Sequence, residues 1–483
     1  MAEKVTPGYA ETLEYIHGIN RYAKKLGLEN IRRLMRELGD PQDGLRFIHI
    51  AGTNGKGSTA AMAASVMRAA GYRTGLYTSP YLQRFTERIR VDDAEIPEGV
   101  LVGLAGEVRA AIDAVMAKGG QHPTELEVVA AIAFLYFARS GCDVVAFEVG
   151  LGGRYDPTNV IKTPLAAVIA TIDYDHVSRL GGTLEKIAYE KAGIIKPGGD
   201  VVLYPQPDGV RRVFEAEAEA TGARLAVCDF SSLRTESYGA GGQTFSYGRR
   251  EGLEISLIGE FQTRNAALVV ETIDTINRNA GCGIYVPEDA LRRGLRQARW
   301  PGRMEILNGD PPFLIDAAHN AQCARALRDT LEKFFPGREK ILIVGVVRDK
   351  DYMSILDATV PLASAAFTVT TESARALGAD ELAQAVRERG GARLAGHVWA
   401  CASPAEAAER ALALAREAGA GGEIGGGVKS DGGGGSGSLS DAGVGGGGYQ
   451  CGGAGGGEGS GPVICAFGSL YYIGKLRDYF GYR

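Results

Sequence analysis

A chain of 483 residues is long enough for two or three domains, and 45% hydrophobic with 23% charged residues is the balance of a globular protein rather than a disordered one. The formal net charge of -5 argues against nucleic acid as a partner, since a phosphate backbone is met by a basic excess. The first twenty residues hold no apolar signal-peptide core, and the longest apolar run, Val128 to Ala138, is too short to cross a bilayer. The seven cysteines are scattered without a C-x-x-C pair, so the expectation is a cytoplasmic protein with no membrane partner, zinc site or disulfide framework.

Taken in chain order, apolar β-rich runs alternate with amphipathic ones. Leu45–Ala51, Val144–Val149, Leu165–Thr171 and Val201–Tyr204 read as buried strands of a parallel sheet, with helices over Ser58–Ala70 and Glu125–Ala138. A second α/β set follows. Its expected strands are Phe313–Asp316, Lys340–Gly345, Ala366–Thr371 and Val463–Phe467, and its expected helices are Ala321–Phe335, Ala379–Arg389 and Pro404–Ala418. The pattern predicts an α/β protein: a P-loop-type doubly wound ATPase domain over residues 1–300 and a smaller Rossmann-like domain over 301–483, joined at Trp300-Pro301-Gly302. The glycine-rich stretch 419–461 has few apolar side chains to offset its ordering entropy and is expected to be a flexible insertion.

Three segments carry chemistry. In Phe47–Thr59, FIHIAGTNGKGST, an apolar strand runs through a Gly-rich turn into a helix, the arrangement that wraps backbone N–H groups and a helix N-terminus around phosphate oxygens, with Lys56 as a point charge. The loop departs from the common P-loop pattern, with Ile50 at the first glycine position and Gly57 between Lys56 and Ser58; a strand-to-helix turn without a ligand is the alternative. His49, on the preceding strand, reads as a packed core histidine. In the second segment Glu148 ends a buried strand ahead of Gly150–Asn159. It is either a Mg²⁺ ligand or a strand-end carboxylate paired with Arg154. The third segment follows another apolar strand: His176 could ligate a metal while Asp175 holds the local geometry, with a structural histidine as the alternative, and Lys191 falls near the end of a helix, where a solvated surface lysine is the alternative.

Together these residues resemble the folylpolyglutamate synthase and dihydrofolate synthase family within the Mur ligase superfamily. The loop GTNGKGS and the segments TSPYLQRFTERIRVD, FEVGLGGRYDPTN, DHVSRLGGTLEKIAYEKAGIIKPG, GEFQTRNAAL, WPGRMEI, DAAHN, DKDY and GSLYYIG occur in the family's order and cover nearly the whole chain apart from 419–461. The resemblance implies that Asn54, Gly55, Lys56, Gly57 and Ser58 hold the ATP phosphates and that Ser79, Glu148 and His176 ligate Mg²⁺, as one of two ions. It implies that Lys191 is carbamylated and that Asn265, Arg303 and Asp316 contact ATP. His319 and Ser469 would lie near the incoming glutamate, and Thr124, Glu127, Arg154 and Asp156 near the pterin. Departures are Ala317 for the glycine of D-G-A-H-N, Phe261-Gln262 for the His-Gln of G-x-H-Q, and Tyr155 for the leucine of G-G-R-L-D.

The implied reaction is ATP-dependent amide-bond formation between L-glutamate and a folate-type carboxylate, either a reduced folate or dihydropteroate, through an acyl phosphate, with Lys56, Lys191 and His319 as the catalytic residues. A monomer acting on small molecules is expected. The alternatives are a peptidoglycan-type Mur ligase and a nucleotide-binding regulatory module without ligase activity.

Overall fold

The computed structural model describes residues 8–20, 27–420 and 461–482. The chain divides into two units, one of residues 1–236 with 243–301, the other of 237–242 with 302–483. No helix among the described residues is long and apolar enough to cross a membrane.

The first unit is built on eight strands: β1 (Phe47–Ala51), β2 (Thr74–Tyr77), β3 (Ile89–Val91), β4 (Ala94–Glu95), β5 (Val144–Glu148), β6 (Ala166–Ile169), β7 (Asp200–Leu203) and β8 (Arg224–Val227). They lie in the order β4-β3-β2-β5-β1-β6-β7-β8, parallel from β2 to β8, with β3 and β4 added antiparallel at one edge. Strands β1, β2, β5, β6 and β7 are buried at every position, which is why they read in sequence as unbroken apolar runs rather than as alternation. Ile48 and Ile50 face one core with the helix Lys56–Ala69. Phe47 faces the other, where Phe147 is stacked between Phe134 and Tyr77.

The helix Lys56–Ala69 is buried along almost its whole length, and its small residues make that possible. Gly294, in the helix Glu288–Gln297, comes so close that a β-carbon there would lie 2.4 Å from Val66 Cα, and Ser65 Oγ donates to Gly294 O at 2.7 Å. The chain leaves β1 toward β2 and leaves β5 toward β6, in opposite directions across the sheet. The carboxyl edge of β2, β5, β1 and β6 is therefore a topological switch point, where open α/β sheets bind ligands.

A three-stranded antiparallel sheet follows, of β9 (Arg234–Gly239), β10 (Gly242–Tyr247) and β11 (Arg250–Ile255), in the order β11-β10-β9. The sequence reading did not expect it. β9 exposes most of its side chains, so RTESYG carries no apolar signal. The edge strands β3, β4 and β8 and the helix Glu98–Ala117 were not expected either. The second unit holds β12 (Glu305–Gly309), β13 (Pro312–Ile315), β14 (Lys340–Val344), β15 (Ala363–Val369), β16 (Val398–Cys401) and β17 (Val463–Phe467). Their order is β12-β13-β17-β14-β15-β16, parallel except for β12. The doubly wound sheet with a smaller Rossmann-like α/β sheet is thus the architecture observed. The glycine-rich stretch lies outside the described residues except at its ends: Gly419 closes the helix Pro404–Gly419, and Gly461 stands just before β17.

Candidate functional site

The loop after β1 is held from below by the loop after β6. Thr53 N donates to Thr171 O at 2.6 Å, Thr53 Oγ1 exchanges hydrogen bonds with the backbone of Asp173 at 3.0 and 3.1 Å, and Thr171 Oγ1 donates to Asn54 O at 3.2 Å. Gly52 permits this approach: a β-carbon there would lie 2.8 Å from Ala170 Cβ. Gly55 turns the chain at φ 86° into the helix, so the first-turn amides of Lys56–Ala69 open at the loop, a ready anion site.

Two residues of the helix Glu260–Arg278 flank that turn. Asn265 Nδ2 donates to Gln262 Oε1 at 3.0 Å, and Gln262 Nε2 donates to Ser58 Oγ at 3.2 Å; a β-carbon on Gly55 would lie 2.7 Å from Asn265 Oδ1. Gln262 and Trp300 are neighbours of the loop that the sequence reading did not assign to it. The signal for Gln262 was its spacing of three from Asn265 in a helix, which puts both on one face. The Trp300 indole covers Gly57, where a β-carbon would meet its Cζ2 at 2.8 Å. The extra glycine between Lys56 and Ser58 has its physical reason there.

The neighbouring parallel strands bring the next candidates to the same edge. Glu148, at the end of β5 and 4% exposed, has Oε1 4.0 Å from Lys56 Nζ and accepts a hydrogen bond at Oε2 from Ser79 N, just past β2, at 3.1 Å. Its ion-pair partner is Lys56, and not Arg154, which the sequence left as an alternative. Arg154 instead donates to Glu217 Oε2 at 2.9 Å and lies over the Tyr189 ring at 4.1 Å. Lys56 Nζ also donates to Thr53 O at 3.1 Å. His176, past β6, adopts a left-handed φ of 50°; its N–H donates to Asp175 Oδ1 at 2.8 Å, and its Nε2 lies 3.8 Å from Asp175 Oδ2.

Lys191 stands at the end of the helix Leu184–Ala192 and is buried, which excludes the solvated surface lysine of the sequence reading. Its Nζ donates to Gly52 O at 2.8 Å. Burial, and then the charge of Lys56, lower its pKa to about 7 against the pull of Asp175 and Asp156. This amine therefore gives up its proton far more readily than an exposed lysine, which holds its own to about 10.5. Asp156 is buried as well and accepts from Leu151 N at 2.7 Å and from Thr158 N and Oγ1 at 3.0 and 2.6 Å. Burial raises its pKa, and those hydrogen bonds oppose the rise. Thr158 Oγ1 also meets His49 Nε2 at 2.8 Å; burial pushes the His49 pKa down to about 3, so this ring is a neutral core group.

Thr124 and Glu127 form a reciprocal capping box on the helix Glu125–Arg139, with Thr124 N donating to Glu127 Oε2 at 2.7 Å, so their side chains are committed to each other. Arg88 was not singled out in sequence. It is 3% exposed, its Nε and Nη1 have no hydrogen-bond partner, and it lies over the rings of Tyr81 and Phe85 at 5.1 and 5.3 Å. A buried guanidinium with unused donors is costly until an acceptor arrives.

In the second unit, Asp316 directly follows β13 and accepts from Met304 N at 2.9 Å and Ala318 N at 2.7 Å; burial raises its pKa, and the Arg303 charge opposes that. His319 Nδ1 lies 2.9 Å from Ala317 O. Ser469, past β17, caps the helix Leu470–Tyr479 through Tyr471 N at 3.3 Å.

Comparison with known proteins matches residues 50–273 to the Mur ligase middle domain and residues 302–420 to the Mur ligase glutamate ligase domain. The chain is 36% identical over 381 residues to the dihydrofolate synthase/folylpolyglutamate synthase of Bacillus subtilis, covering 77% of this chain and 88% of the relative. Among solved structures, Mycobacterium tuberculosis folylpolyglutamate synthase complexed with ADP superposes with a TM-score of 0.82 at 30% identity, covering 99% of each chain. A folylpolyglutamate synthase–AMPPCP–folate complex superposes at 0.76 and 31%, covering 97% of this chain and 98% of the other. With that identity carried across nearly the whole length of both chains, this protein belongs to the folylpolyglutamate synthase/dihydrofolate synthase family of Mur ligases.

Proposed function

We propose that this chain is an ATP-dependent ligase that joins L-glutamate to a folate-type carboxylate, either that of a reduced folate or that of dihydropteroate. The observation that carries the reading is the buried Lys191 amine on Gly52 O, behind a phosphate loop whose Lys56 faces Glu148. Relatives in complex with ADP and with AMPPCP and folate support it.

Glu148 and Ser79 offer hard oxygen donors beside Lys56, with His176 on the adjacent loop. No group of three His, Cys, Asp or Glu that could hold a metal occurs among the described residues. That donor set fits Mg²⁺, which keeps waters and substrate phosphates in its shell and needs few protein ligands. When bound, the ion supplies positive charge to the phosphoryl oxygens.

In the reaction, the backbone of Asn54–Ser58 and Lys56 cradle the phosphates while the γ-phosphoryl group passes to the substrate carboxylate, giving an acyl phosphate and ADP. The amine of glutamate then attacks the acyl carbon and expels phosphate. The protein's work is positioning and charge neutralisation. Lys191, whose buried amine has a lowered pKa, can in its unprotonated form add to CO₂ through its nitrogen with loss of a proton, and the resulting carbamate is the anionic form in which we propose it acts. Arg303, Asp316 and Asn265 are assigned to ATP, and His319 and Ser469 to glutamate. Arg154, Asp156 and the Thr124–Glu127 pair are assigned to the wall of the pterin site, with Arg88 beside them as donor to the acid substrate. A monomer in the cytoplasm completes the proposal.

The test is ADP release on adding glutamate with dihydropteroate or with a reduced folate. Release that requires both glutamate and one of these acids is expected. Release only with a UDP-sugar substrate, or none, overturns the proposal.

A further inference from the structure

We infer that Asn159 and Lys196 form a lock that positions Lys191, so that both are positioning residues for the reaction. The inference rests on the reading of Lys191 as a working residue.

The end of the helix Leu184–Ala192 is pressed against the loop after β5, backbone on backbone. A β-carbon on Gly153 would lie 2.7 Å from Glu190 O and 2.9 Å from Lys191 Cα; one on Gly193 would lie 2.4 Å from Arg154 Cα. These two glycines therefore let the segments touch directly on either side of Lys191. Arg154 N donates to Glu190 O at 2.6 Å, which pins the residue just before Lys191.

Asn159 closes the contact from the other side. Its Nδ2 donates to Arg154 O and to Gly193 O, both at 3.0 Å, so a single amide uses both hydrogens to tie the two backbones together. Its Oδ1 accepts from Lys196 Nζ at 2.7 Å, a charge-assisted bond that fixes which way the amide faces. Lys196 Nζ also donates to Asn159 O at 3.3 Å. Asn159 is 5% exposed, so these bonds have no water to replace them.

The consequence for Lys191 is reach. Its side chain is long and has many rotamers, yet it is buried with Nζ on Gly52 O. That placement holds only while the helix end stays against the loop. The charged groups facing Lys191 are Lys56, Asp175 and Asp156, and those facing Lys196 are Arg32 and Arg154. Neither Asn159 nor Lys196 contributes charge to the Lys191 amine directly, so their effect on it comes through position.

Asn159→Leu removes both arms of the lock at similar volume, and Lys196→Met removes the bond that orients the amide. In each folded variant turnover is expected to fall about 10- to 100-fold, the size found when partners behind a working group are lost. ADP affinity should stay within about twofold, because past Gly52 the loop Thr53–Ser58 is held separately by Thr171, Asp173 and Asn265. The readout that a merely structural role would not move is the ionisation of Lys191. Competitive acetylation across pH 6 to 10, read by mass spectrometry, should give half-labelling near 7 in the native protein and at clearly higher pH in both variants. Lys196→Arg, which keeps a cationic donor, should restore most turnover. Unshifted Lys191 labelling in either folded variant, or turnover unchanged in both, overturns the lock. The labelling does not depend on the reaction, so a chain inactive with every folate substrate would defeat the proposed function and still leave the lock to be read.

Discussion

Trp300 lies where a side chain on Gly57 would have to be, its Cζ2 2.8 Å from a β-carbon built on that glycine. The loop Gly52–Ser58 is the proposed phosphate site. Here its sequence is set equally by what leans on it, an indole from the residue just ahead of Pro301-Gly302. Gly57 is a helical residue with an ordinary φ, so nothing about backbone freedom calls for glycine; the crowding does.

Gly57→Ala is therefore expected to destabilise the protein by about 1–3 kcal/mol, the range for overpacking a filled site. Trp300→Ala in the same chain should recover most of that loss. Denaturant unfolding of the two single variants and the double variant closes the cycle, and a coupling near zero would mean that the indole can step aside at no cost.

Lys56→Ala should lower turnover by at least about 100-fold, the scale for removing one donor to a developing charge, while circular dichroism and the thermal midpoint stay close to native. It should also raise the Lys191 pKa, since the Lys56 charge is the second cause of its depression after burial. Native-like turnover in the variant would remove Lys56 from the phosphate site.

The Lys191 ionisation also makes a stability prediction. The unfolded chain keeps its proton on this lysine up to about 10.5, whereas the folded chain gives it up near 7. Between those values the unfolded state binds more protons, so folding stability rises with pH, by at most about 1.4 kcal/mol per unit from this group. Below 7 the penalty of a buried ammonium is fully present. Lys191→Met should thus be more stable than native in CO₂-free buffer at pH 6, with the difference shrinking toward pH 10. A difference that does not vary with pH would show that the native amine is not held at a depressed pKa.

Arg88 predicts a trade between stability and binding. Its buried Nε and Nη1 have no partner, so Arg88→Leu removes a desolvated charge and should leave the free protein as stable or more so. The same change should raise KM for the acid substrate at least about tenfold, because a charged hydrogen bond of about 1.5–3 kcal/mol is lost. An unchanged KM would place Arg88 outside the acid-substrate site.

The parts of this molecule that were legible in sequence are those whose environment is uniform. Strands β1 and β5 are buried on both faces, so their apolar runs announced them, and the predicted β1 overran the observed start by only Leu45-Arg46. β15 begins three residues earlier than expected because Ala363-Ser364-Ala365 carries little strand propensity and is specified by pairing with β14. β9 was missed because its side chains are largely exposed, and β10 and β11 because GQTFSY and REGLEI, though partly buried, each hold only two apolar side chains. The candidate residues after strands were legible for a topological reason, since neighbouring parallel strands bring their carboxyl ends to one edge. What could not be read was who touches whom across the chain. The Trp300–Gly57 crowding, the Gln262 bridge to Ser58 and the unused donors of Arg88 are long-range contacts that no local pattern encodes. Lys191 shows the limit well: its place in a helix was legible, but its burial against Gly52 O was not.

The ends of the glycine-rich stretch carry the final prediction. A β-carbon on Gly419, at the end of the helix Pro404–Gly419, would lie 3.9 Å from Gly461 Cα, just before β17. The two points where the insertion leaves and re-enters the unit are thus already neighbours, and a connection of a few residues spans them. Residues 421–460 are glycine-rich and poor in apolar side chains, so they have little surface with which to offset ordering entropy. Replacing them by a four-residue Gly-Ser linker shortens the loop about tenfold, which by loop-closure entropy favours the folded chain by about 2 kcal/mol. The expected outcome is a variant with a thermal midpoint equal to or above native and turnover within about twofold of native. Ser469 stands eight residues beyond Gly461, past the whole of β17, so its position as cap of the helix Leu470–Tyr479 is set by the sheet rather than by the loop. Steady-state kinetics decide the matter: a marked rise in the glutamate KM or a large fall in turnover, with the midpoint unchanged, would show that the stretch takes part in handling glutamate and is more than a spacer.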